Sequence, residues 1–85
     1  MVLHWYSIME NLVYDEDQAV YTIMYGIQAI NPNGEIIKCY SNIFFEKKDA
    51  DSFVKVCNEG QLSLIHLEDV IEDRLAELYE HRTTI

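Results

Sequence analysis

The chain has 85 residues, 49% of them apolar, with two cysteines, a formal charge of −9 and a pI near 4.5. That length accommodates a single domain, residues 1–85, and the apolar bulk suffices for one core and argues against disorder. The acidic balance argues against direct binding to nucleic acid and disfavours anionic membranes, since both need basic residues.

The start, Met1–Ser7, has neither a basic region nor a long apolar run, so it reads as neither signal peptide nor anchor. No segment approaches the roughly 20 apolar residues of a membrane span. Cys39 and Cys57 are too few for a disulfide framework and sit inside apolar patterns. The expectation is a reduced, soluble, cytoplasmic protein.

Val2 to Tyr14, rich in β-branched and aromatic residues, predicts a first strand ending at the polar turn Asp15-Glu16-Asp17-Gln18. That turn matches a calcium loop in charge only, because the glycine and distal glutamate of such a loop are missing. Ala19 to Ile30 predicts a second strand. Its odd face, Tyr21, Ile23, Tyr25 and Ile27, is the more apolar and belongs against the core. Gly26, without a side chain in mid-strand, signals a bulge or a close approach by another backbone. Asn31-Pro32-Asn33-Gly34 is a strong hairpin signal: Pro32 fixes φ, Asn33 tolerates the next position and Gly34 takes the left-handed conformation. Glu35 to Phe45 then returns as a third antiparallel strand.

Beyond Glu46-Lys47-Lys48, Asp49 or Asp51 is placed to cap a helix burying Ala50, Phe53, Val54 and Cys57, with Gly60 as its stop. Gln61 to Ile65 reads as a loop rather than a fourth strand, because Ser63 can cap the second helix. This last helix is amphipathic: Leu67, Val70, Ile71, Leu75 and Leu78 form its apolar face. Glu68, Asp69, Glu72, Asp73, Glu77 and Glu80 line the opposite side. His81 and Arg82 suit the C-terminal carbonyls, and Thr83-Thr84-Ile85 is expected to fray. The fold class is α+β: a three-stranded antiparallel meander followed by two helices packed on one face, β-β-β-α-α.

The combination of Asn31-Pro32-Asn33-Gly34, of Cys57-Asn58 closing the first helix, and of Ile65 to Asp73 opening the second resembles a small family of uncharacterised bacterial proteins associated with Gram-positive bacteria. The resemblance covers most of the chain. It implies a small bacterial cytoplasmic domain and brings no activity, cofactor or catalytic residue.

Enzymatic motifs are missing: no Gly-rich phosphate loop, GxSxG, CxxC or HExxH occurs, and no cofactor is expected. Cys57 and His66 are the one thiol and imidazole pair that two adjoining helices could bring together, with Asn58 or Asp69 orienting the ring. A buried structural cysteine is the simpler reading, since Cys57 lies on an apolar face. His66, Asp69, Glu72 and Asp73 share a helix side, but no second cluster completes a metal site, and His66 suits a cap or a hydrogen bond between helices.

Two features point to partners. The acidic stripe places like charges four residues apart, which is mildly destabilising and so suggests a recognition face. Trp5, Tyr6, Tyr14, Tyr21, Tyr25, Tyr40, Phe44 and Phe45 are expected on both sheet faces, one of which the helices leave uncovered. The expected function is a non-enzymatic protein-protein interaction module whose contact residues are Glu68, Glu72, Asp73, Glu77, Trp5 and Tyr40, with self-association as a homodimer through the open sheet face. The alternatives are an acidic inhibitor or nucleic-acid mimic for a basic protein and, last, a thiol enzyme using Cys57 and His66.

Overall fold

A computed structural model describes residues 4–83, with side chains described as far as Tyr79. Strands β1 (Trp5–Asp15), β2 (Val20–Ile30) and β3 (Ile36–Phe44) form an antiparallel sheet in the order β1-β2-β3, followed by helices α1 (Lys47–Glu59) and α2 (Leu64–Thr83). This is the α+β, β-β-β-α-α arrangement the patterning predicts. The expected strand start at Val2, the side chains of Glu80, His81 and Arg82, and the last two residues lie outside the described residues. No described helix is long and apolar enough to cross a membrane.

Both hairpins are closed by a side chain at the end of the incoming strand. Asp15 Oδ1 accepts from the N–H groups of Asp17 (3.0 Å) and Gln18 (3.3 Å), and Ala19 takes a left-handed φ of 55° to re-enter the sheet. Asn31 Oδ1 accepts from Asn33 and Glu35, each at 3.0 Å, while Gly34 adopts φ 84° as its sequence position demands.

β1 pairs with β2 along the whole of both strands, whereas β3 pairs with β2 only from Tyr25 to Ile30. Asn11–Asp15 and Val20–Met24 therefore continue past β3 as a two-stranded arm. β3 leaves the ladder through a bulge: Ser41 to Ile43 face the single residue Gly26, and Asn42 turns at φ 57°. Asn42 Oδ1 accepts a hydrogen bond from Asn11 Nδ2 at 3.2 Å, two strands away. The bare Gly26 is what lets the bulge lie this close. The close backbone approach read from the sequence is thus present.

The core is a seam between one sheet face and two helices. Tyr6, Ile27, Ala29 and Phe44 meet Ala50, Phe53 and Cys57 of α1 and Leu67 and Ile71 of α2. Phe44 and Phe53 stack tilted with centroids 5.6 Å apart, and burying each ring contributes roughly 1.5–3 kcal/mol. Val70, Leu75 and Leu78 pack against this cluster, so the predicted apolar face of α2 is the one used.

Two local expectations are corrected. α1 begins at Lys47 with Glu46 at the N-cap, because the strand ends at Phe44 and frees the chain earlier; Asp49 lies in the first turn rather than capping. Gly60 stays right-handed at φ −85°, and Gln61 makes the left-handed turn at φ 49°. Gln61 N–H then donates to Asn58 O and Leu62 N–H to Cys57 O, closing a Schellman motif one residue later than the glycine suggested. Glu68 and Asp69 fall in the second turn of α2, whose start at Leu64 succeeds a loop and not a fourth strand. At that start the Ser63 carbonyl accepts from His66 N–H at 3.0 Å.

The aromatic residues also divide differently. Paired residues share a face, so Tyr6, Tyr14, Tyr21, Tyr25, Tyr40 and Phe44 all stand on the helix side. Among the described strand residues, Trp5 is the one aromatic on the opposite face. The reason is register: the even positions of β1 align with the odd positions of β2.

Candidate functional site

Cys57 points inward from α1 and is buried, while His66 is exposed on α2. Burial pushes the Cys57 thiol up to about 11, and the nearby Arg74 guanidinium only partly offsets this. A thiol in that state holds its proton near neutrality, as a buried structural cysteine does. Asn58, a candidate orienter for a catalytic imidazole, is otherwise engaged. Its Oδ1 accepts from Tyr6 N–H at 2.7 Å and its Nδ2 donates to Tyr6 O at 2.9 Å. The side-chain amide thus pairs with the edge of β1 as a neighbouring strand would.

This contact belongs to a wider tie between the start of β1 and the α1–α2 connection. Tyr6 donates its hydroxyl proton to Leu62 O at 2.5 Å, and His4 Nε2 lies 2.9 Å from both oxygens. With the tyrosine proton so used, His4 Nε2 must carry the proton it shares with them. Burial, and then the neighbouring Cys57, push the Tyr6 hydroxyl up to about 12. The sequence left His4 unplaced; its one available signal was the i, i+2 spacing to Tyr6, which puts both side chains on the core side.

Glu68, Asp69, Glu72, Asp73 and Glu77 are exposed along α2, opposite its apolar face. Among the described residues no group of three or more His, Cys, Asp and Glu side chains is placed to hold a metal ion. Trp5, 45% exposed, sits on the outer sheet face, whereas Tyr40 is half-buried on the helix side with Lys38 Nζ 5.7 Å from its ring centroid. These two aromatics therefore cannot share one contact surface.

A different apolar surface lies on the arm. Leu12 stands opposite Ile23 and Tyr14 opposite Tyr21, and these residues are 66%, 46%, 48% and 67% exposed. The two tyrosine rings are 5.0 Å apart. All four face the helix side of the sheet, yet no described helix covers them. An 11-residue strand spans roughly 37 Å, while the 13 residues of α1 span about 20 Å and the 20 residues of α2 about 30 Å. Tyr79 of α2 meets Phe45, immediately after β3, with ring centroids 6.0 Å apart. The last described side chain of α2 has thus reached only the point where the arm begins. The comparison of strand and helix lengths was the signal in the sequence that could have found this surface.

The model of a family of unknown function, DUF6514, matches residues 1–77. The chain belongs to that family. The match takes in all three strands, the arm, α1 and most of α2. No curated protein and no solved structure matches the chain. The Cys57-Asn58 pair has a structural role in this chain, one residue filling the core and the next pinning the edge of β1.

Proposed function

We propose that the protein is a small non-enzymatic interaction module that docks another protein on the β1–β2 arm. The observation behind this reading is the contiguous exposed pair of pairs, Leu12–Ile23 and Tyr14–Tyr21, projecting beyond the helices that cover the rest of that face. Apolar patches of this kind, rimmed by polar residues, mark association sites. Aromatic residues supply such contacts with little entropy loss. Charge decides the type of partner. Residues 1–34 include Glu10, Asp15, Glu16 and Asp17 and no lysine or arginine, so two arms repel each other and a basic protein is favoured over a homodimer.

Capture experiments with the wild type and with Leu12→Thr/Ile23→Thr, run in parallel at low and moderate salt, test this. Threonine keeps strand propensity while removing the apolar surface. A protein retained by the wild type and lost by the variant supports the reading; equal retention overturns it. The exposure of Glu68, Glu72, Asp73 and Glu77 favours a second reading, an acidic mimic inserted into a basic groove. In that case Glu72→Lys/Asp73→Lys, and not the arm variant, abolishes capture.

A further inference from the structure

We infer that the basic partner joins the arm as an added β-strand, pairing with the backbone of Tyr21 and Ile23 on the edge of β2 that β3 leaves open. This rests on the arm being the docking surface and specifies how the partner is held. The direction of the backbone groups is set by the second hairpin. Asn31 N–H donates to Glu35 O at 2.9 Å, so it faces the β3 side. Backbone groups alternate edges along a strand, and the unbroken register with β1 from Trp5↔Ile30 to Asp15↔Val20 keeps β2 regular throughout. Residues an even number of positions before Asn31 therefore face the same way. Tyr25, Ile27 and Ala29 meet β3 there, and Tyr21 and Ile23 meet nothing from β3, whose pairing ends at Tyr25↔Phe44.

The two residues with open backbone groups are also the two most exposed apolar side chains of this half of β2, at 67% and 46%. A strand in line with β3 then satisfies unpaired N–H and C=O groups and covers apolar surface in one step. Its residues opposite Tyr21 and Ile23 are apolar. The intervening ones are basic, because Glu10 at the base of the arm, Asp15 on it and Glu16 and Asp17 in its turn are met by no lysine or arginine in residues 1–34.

The probe is a blocked peptide of alternating lysine and valine, about ten residues long. Amide hydrogen exchange of the labelled protein, followed by NMR, is read at Tyr21, Thr22 and Ile23. Strand addition slows exchange at Tyr21 and Ile23 and leaves Thr22, whose N–H already faces β1, unchanged. Side-chain shifts on Leu12 and Tyr14 without slowed exchange at Tyr21 and Ile23 leave the arm as the docking surface but overturn strand addition. No response anywhere on the arm overturns both. Equal protection by a glutamate–valine peptide, or a doubling of mass without peptide, overturns the choice of a basic partner. A pair of variants gives an independent reading. Ile23→Pro removes the outward N–H together with the isoleucine side chain, at a position where edge strands accept proline, and weakens peptide binding about tenfold more than Ile23→Thr, which removes the side chain alone. Equal weakening by the two variants counts against strand addition.

Discussion

Gly26→Ala tests the packing at the bulge and has a sign that the structure decides. A Cβ at this position would collide with the Tyr40 carbonyl oxygen and lie 2.9 Å from Ser41 Cα and 3.0 Å from Met9 Cγ. Ordinary carbon contacts begin near 3.5 Å, so the backbone of β3 would retreat by about 0.5 Å or more. Met9 can swing aside, but Tyr40 and Ser41 present main chain on both sides of the bulge. Overpacking of this kind costs about 1–3 kcal/mol, and the Asn11–Asn42 hydrogen bond is strained with it. Alanine returns roughly 0.5–1 kcal/mol in backbone entropy. The net loss is therefore about 1 kcal/mol, or roughly 4–8 °C in Tm for a domain of this size. A thermal melt by circular dichroism reads it. An unchanged or raised Tm refutes the reasoning, because a glycine in open space gains stability on the same exchange.

Asn58→Ala removes both hydrogen bonds to Tyr6 and lowers stability by about 1–2 kcal/mol in urea titrations, while Asn58→Asp costs more, since a carboxylate faces the Tyr6 carbonyl. A thiol reagent at neutral pH modifies Cys39 rapidly and Cys57 only after denaturation, one equivalent against two. Cys57 and Tyr6 hold their protons more tightly when folded, so their contribution is whole below pH 9 and is lost as pH rises, from about 9 to 11 for Cys57 and about 10 to 12 for Tyr6. Urea midpoints measured from pH 8 upward then fall with pH, and Tyr6→Phe flattens the upper part of the decline. Glu72→Lys/Asp73→Lys turns three repulsive i, i+4 pairs attractive and raises Tm by a few degrees, at a few tenths of a kcal/mol per pair; a fall of several degrees would show that these carboxylates hold the fold together.

Much of the architecture was legible because its signals are local. The Asn31-Pro32-Asn33-Gly34 turn, the mid-strand Gly26 and the apolar spacing of α2 each depend on a few neighbouring residues, and each is present as read. Capping was less legible, since Gly60 and Gln61 compete for one left-handed position and the choice depends on where Leu62 packs. The candidate site was the least legible. Alternation identified the apolar face of β2 correctly, but whether a helix covers Ile27 or leaves Tyr21 exposed depends on how far β3 and α2 reach. The placement of aromatics on two faces failed for a related reason, because the relative register of β1 and β2 is a pairing property that neither strand carries alone.

Hydrogen–deuterium exchange mass spectrometry of the protein with its captured partner tests the central claim most directly. Docking on the arm protects peptides spanning residues 10–25 and leaves residues 64–79 of α2 unchanged. Protection confined to α2, with the arm exchanging as in the free protein, contradicts the account.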